Sequence, residues 1–151
     1  MGGLAPTHYS TMGYAPRAGD LAEATAPAIA ARMREEGVDL ALVVPVLPVC
    51  HQSGGLIQRE IEAWGIPTVS PSNNPTATAR VRPPRWVHVR FPRGAMFGEP
   101  GNRAKQRAVL RDTLDALAAI REPGGSLALP YRWEAPPVMW RGSPLRESSY
   151  S

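Results

Sequence analysis

Residues 39–46 read DLALVVPV, one charge followed by an unbroken apolar run rich in Val and Leu. A strand with one wet face would alternate apolar and polar side chains. This run does not, so both of its faces call for cover, as in a parallel sheet with helices above and below. We expect it to be the central strand of the fold. After the turn LPVCHQS, residues 54–64 place Leu56, Ile57, Ile61 and Trp64 on one helical face with Gly65 as the stop, and residues 66–70 form a second short strand. Strand, helix and strand within about 30 residues make a βαβ unit, which puts the chain in the α/β class.

Elsewhere the pattern is less regular. Residues 1–18, MGGLAPTHYSTMGYAPRA, have no periodicity and read as an ordered loop or short edge strand. Asp20 reads as the N-cap of a helix over 21–36 carrying Leu21, Ala22, Ala26, Ile29 and Met33, and Gly37 ends it. Pro27 inside this stretch also allows a start near Ala26. A polar loop, PSNNPTATARVRPP, leads to a third, partly exposed strand over 86–91, where Val87, Val89 and Phe91 alternate with His88 and Arg90. The clearest helix is 103–121, with Val109, Leu110, Leu114, Leu117 and Ala118 in one stripe. Beyond Glu122 the chain turns Pro-, Gly- and Ser-rich but keeps Tyr131, Trp133, Met139 and Trp140. Those side chains predict an arm packed on the domain or on a second subunit, with a disordered end.

The expected architecture is a small three-layer α/β domain over residues 1–122, Rossmann-like or flavodoxin-like, with a mainly parallel sheet and an extended C-terminal arm over 123–151. A chain of 151 residues supports one such core and little more. Its short sheet and aromatic arm also suggest a homodimer, formed by tail exchange or by covering a sheet edge. No apolar run approaches a membrane span, and the start lacks the order of a secretory signal, so a soluble cytoplasmic protein is expected.

A single cysteine, Cys50, cannot form an internal disulfide or a cysteine-rich zinc site, which fits a reducing compartment. His8, His51 and His88 show no metal-site spacing, and no metal or cofactor is expected. Met12, Met33, Met96 and Met139 read as packing filler. The net charge of +4 rests on arginine, since Lys105 is the one lysine. Arg80, Arg82, Arg85, Arg90 and Arg93 cluster around Trp86 and Phe91, yet no recognised nucleic-acid module accompanies them, which argues against a nucleic-acid partner.

Ligands of open α/β sheets bind beyond the carboxyl ends of the strands, where helix N-termini offer unpaired N–H groups and a positive dipole end. The stretch LPVCHQSGG falls at that place. A thiol near a helix N-terminus is favoured as thiolate, which makes Cys50 a candidate nucleophile with His51 beside it as base or source of positive charge. Ser53, Gly54 and Gly55 would let an anionic group approach the helix start. The opposing reading makes Cys50 a small buried hydrophobe and His51 a hydrogen-bonded loop residue.

The stretch VDLALVVPVLPVCHQSGGLIQREIEAWGIPTVS closely resembles the conserved segment of the selenoprotein B family of glycine, sarcosine, betaine and D-proline reductases. The short single-domain relatives of that family are similar along roughly residues 3–133, including HYSTMG, RPPRWVHVRFPRG, QRAVLRDTLDAL and LPYRW. The resemblance implies a site at Cys50, His51, Gln52 and Ser53, and substrate-lining roles for His8, Tyr9 and Ser10. It implies a selenocysteine or cysteine three residues before Cys50, where this chain has Leu47. The family's larger complexes also carry a pyruvoyl group on another subunit.

A dithiol mechanism needs one chalcogen to attack and one to resolve the intermediate, and leucine does neither. The first expectation is therefore a thiol-dependent enzyme acting through Cys50 on a small amino-acid-like or carboxylate substrate. Its second thiol would come from a small molecule or a partner reductase subunit, or the reaction would be a non-redox lyase, isomerase or hydrolase step. Arg85 or Arg90 is a candidate carboxylate partner. The alternative is a non-catalytic binding or accessory subunit that has lost the redox residue at Leu47.

Overall fold

The computed structural model describes residues 2–135. Its order is α1 (Ala18–Asp20), a π turn (Leu21–Thr25), α2 (Ala26–Glu35), β1 (Ala41–Leu42), α3 (Pro48–Ala63), β2 (Thr68–Ser72), α4 (Pro75–Val81), β3 (Arg85–Arg90), α5 (Arg103–Ala119) and β4 (Gly125–Arg132). The four strands pair in chain order, and every pairing is parallel. The α/β class and the parallel sheet follow the expectation. Met139, Trp140 and the rest of the predicted arm beyond Ala135 lie outside the described residues.

The sheet separates two cores. Val69 of β2 and Val87 and Val89 of β3 pack with Val109, Ala116 and Ile120 of the α5 region, together with Phe91 and Met96. On the other face Ala41 meets Ile57 and Ile61 of α3 and Leu21, Ala26 and Ala30 of the first helical segment. Period-two alternation along β2 divides these layers: Val69 faces α5, while Thr68 accepts a hydrogen bond from Gln58 of α3 and Ser72 bonds Thr78 of α4.

Local chemistry explains the ends. Gly37 and Gly65, at φ 67° and 84°, close α2 and α3 in the left-handed conformation. In each case the next residue's N–H reaches back one turn further, Val38 to Met33 and Ile66 to Ile61. Pro27 lacks an N–H and its ring crowds the carbonyl one α turn back. The chain passes it with the wider π turn, in which Ala26 N–H bonds Leu21 O.

Several expectations need correction. Asp20 is not an N-cap; its backbone is helical and its side chain pairs with Arg17 at 2.7 Å. The run 39–46 is the edge of the sheet rather than its centre. Its regular part is Ala41–Leu42, with Val43 N–H bonding Val69 O one step further. Apolar composition reports a demand for burial, but it does not say which neighbour meets it, and Val44 and Val46 remain 41% and 47% exposed. The strand that reads as partly exposed, β3, lies inside the sheet with Trp86, Val87 and Val89 buried.

The polar stretch after β2 folds as α4, because Asn74 caps it by accepting the Ala77 N–H at 3.1 Å and Pro75 sits in its first turn. The aperiodic segment after Glu122 begins as β4, bonded along β3. Among the described residues no helix is long and apolar enough to cross a membrane.

Candidate functional site

The turn expected before residue 54 is the first part of α3 itself. Leu47 is extended at φ −115° and ψ 165°, and Pro48, with its φ preset and no N–H to leave unpaired, starts the helix. Cys50 N–H bonds Leu47 O at 2.9 Å. Cys50 is therefore the third helical residue and Leu47 the N-cap, one turn apart on neighbouring parts of the surface.

His51 is 2% exposed, and its Nδ1 donates to Leu47 O at 2.8 Å. A carbonyl only accepts, so Nδ1 carries the proton and Nε2 of the neutral ring carries a lone pair. Burial pushes the His51 pKa down, against the Leu47 carbonyl and the nearby Asn73 amide, which favour the charged ring. Nε2 is itself buried and, among the described residues, makes no hydrogen bond. Asn73, just past β2, donates to Phe91 O at 3.1 Å and so joins the ends of β2 and β3 beside His51.

Adjacent residues on a helix point about 100° apart, and here Cys50 and His51 diverge. Half-buried Cys50 faces the N-terminal segment, where a side chain at Gly13 would overlap its Sγ. Ser53 ties the same segment down by donating to Gly13 O and sits 3.2 Å from Val49 O. No hydrogen bond links Cys50 to His51 among the described residues.

Gly54 and Gly55 lie well inside α3, where helical bonding occupies their N–H groups. A Cβ on Gly54 would meet Val43 at 3.2 Å, and one on Gly55 would meet Val81 at 2.5 Å. These glycines let α3 lie close on the end of β1 and on α4. Gln52 is half-buried on the same helix.

The expected lining residues are not gathered around Cys50. Thr7 bonds Glu36, and Tyr9 sits by Glu36 and Arg32 at the C-terminal end of α2, where burial, with Glu36 nearby, pushes its phenol up. His8 and Ser10 are exposed, and Ser10 lines an open groove with Met12, Tyr14 and Arg17. Arg85 is bound to Glu62 at 2.5 Å and to Ile120 O at the start of β3. Arg90 is exposed at the other, carboxyl end of that strand.

Gly13 and Asn73 escaped the sequence reading. For Asn73 a signal existed, a polar residue directly after a strand in α/β topology. For Gly13 there was none, since its role depends on a contact remote in sequence.

No protein-family profile matches the chain, and no solved structure matches it. Among curated proteins it is 37% identical over 132 residues to the D-proline reductase subunit gamma of Acetoanaerobium sticklandii, a match covering 87% of this chain. The chain spans about half the length of that relative, 54%. The chain is thus similar over most of its length, the α3 turn among it, to this reductase subunit.

Proposed function

We propose that the chain is a thiol-dependent subunit of the reductase type, with its reaction centre at the N-terminus of α3 and Cys50 as the thiol. The observation that carries this reading is the position of Cys50. It is the third residue of a long helix, half-buried, at the carboxyl end of a parallel sheet. There the first-turn N–H groups and the positive end of the helix suit an anionic substrate.

The substrate would be a small amino-acid-like or carboxylate compound, with exposed Arg90 as the cation for its carboxylate. Because Leu47 offers no second chalcogen, a reductive cleavage needs an external thiol. In balance, a substrate R–X, Cys50–SH and R′–SH give R–H, H–X and the mixed disulfide Cys50–S–S–R′. Cys50 and the external thiol supply one electron and one proton each. His51 holds a buried lone pair near this centre and would act as a base toward substrate rather than toward Cys50.

The test is the pH dependence of Cys50 alkylation by iodoacetamide, read by intact-protein mass spectrometry with Cys50→Ser as control. Rapid labelling of the folded protein at neutral pH, absent in the control, is expected. Labelling that appears only on unfolding would end the thiol mechanism.

A second reading has its own observation. Leu47, where the family resemblance puts a redox residue, is 52% exposed within an apolar rim that includes Val46 and Val49. That surface suits a binding or accessory subunit, which slow alkylation would favour.

A further inference from the structure

β3 and β4 end side by side, each on an arginine. Arg90, the last residue of β3, is the Cα partner of Arg132, the last residue of β4. Both side chains stand on the same face of the sheet. Val87 and Val89 point into the core shared with α5, and Leu129, Tyr131 and Trp133 pack against that core, so alternation turns His88, Arg90, Ala128 and Arg132 the other way. His88 pairs with Ala128 and Arg90 with Arg132, so the register shift between them adds two residues to β4, an even number, and the facing is kept. α4 covers β2 on this side through the bond between Thr78 and Ser72, while Arg90, Ser126, Ala128 and Arg132 stay exposed.

Like charges directly opposite on neighbouring strands repel, and nothing among the described residues offsets this pair. Between Glu62 and Glu99 the chain has no acidic residue. Glu99 and Glu134, the acids nearest these strand ends in sequence, both pair with Lys105. Neither guanidinium makes an ion pair or a side-chain hydrogen bond among the described residues.

The place suits a ligand. Both arginines stand at the carboxyl end of the parallel sheet, where open α/β folds bind, and α3 starts at the same end. Neighbouring strands lie about 4.8 Å apart. One guanidinium takes one carboxylate in a two-bond fork, so a single carboxylate would leave half of the pair's charge unmatched. Two forks at this spacing match a molecule whose carboxylates are separated by three carbons, about 5 Å from one carboxyl carbon to the other.

We propose that Arg90 and Arg132 together clamp a small dicarboxylate, so that the substrate of this site carries two carboxylates rather than one. The inference rests on the proposed function for the place of the substrate and uses none of its thiol chemistry.

Titration of the isotope-labelled full chain with glutarate tests it, followed by NMR through the backbone amides. Butyrate serves as the monoanion and inorganic phosphate as a dianion of another shape, all at one ionic strength. Glutarate should bind saturably and about tenfold more tightly than butyrate, with the shifts centred on residues 88–91 and 131–133. Arg132→Gln should lower glutarate to the affinity of butyrate, and Arg132→Lys should restore part of the difference. Arg107→Gln removes the same charge from an exposed position of α5 and should change nothing. Glutarate that binds no more tightly than butyrate overturns the proposal, as does an equal loss in Arg107→Gln. Phosphate that binds as tightly as glutarate also overturns it, since the pair would then take any dianion. Binding is read here without reaction, so the clamp can fail while Cys50 alkylates rapidly, or hold while Cys50 does not.

Discussion

Gly13 and Cys50 meet at the start of α3: the point where a Gly13 side chain would begin lies 3.3 Å from both Cα and Cβ of Cys50, and Sγ is closer still. Glycine is required here by space, since its backbone is not in the left-handed region. Gly13→Ala should destabilise the fold by about 1–3 kcal/mol through overpacking. In a Cys50→Ala background much of that cost should vanish, a coupling of about 1 kcal/mol. Urea denaturation of the four proteins measures it, and simple additivity would mean that the two residues do not touch.

His51 predicts a pH dependence. Its folded pKa lies below the unfolded value of about 6.5, chiefly through burial, so the unfolded chain takes up the proton first. The contribution to stability is therefore complete above about 6.5 and is lost as pH falls from there to the folded pKa. His51→Asn keeps a donor toward Leu47 O and does not titrate. It should show a shallower fall of the urea midpoint between pH 7.5 and 5.5, while equal slopes would place His51 in water.

The close packing of α3 on α4 is measurable at Gly55. Gly55→Ala gains helix propensity, roughly 1 kcal/mol, but puts a methyl 2.5 Å from Val81 Cγ2. The branched Val81 side chain has little freedom to retreat, so net destabilisation of about 1–2 kcal/mol is expected. Val81→Ala should convert the same substitution to neutral or stabilising. Thermal melts of the single and double variants decide it.

Leu47 and Cys50 stand at the N-cap and third position of one helix, joined by the bond from Cys50 N–H to Leu47 O. Side chains so spaced lie roughly 5–6 Å apart at Cβ, near enough for small rotamer changes to bring two sulfurs together. Leu47→Cys should form an internal disulfide under mild oxidation, seen as protection of both thiols from alkylation and as the loss of two hydrogens by mass spectrometry. Two thiols that stay freely alkylated in oxidant would show that the N-terminal segment holds Cys50 away.

The parts of this protein written in local pattern were legible in its sequence. The βαβ order, the stops at Gly37 and Gly65 and the long α5 follow from apolar periodicity and from the conformations that glycine allows, and neither depends on distant residues. The place of the Cys50 turn, directly after a strand at the carboxyl end of the sheet, was legible too. Tertiary structure alone decided that the most apolar strand lies at the edge, that Pro48 draws Cys50 into the helix, and that β4 arises from an aperiodic segment. It alone turned His51 away from Cys50 and set Gly13 against the thiol. Strand order and side-chain neighbours are settled by contacts between residues far apart in the chain. A local pattern states that a surface must be buried, and only the assembled fold names what buries it.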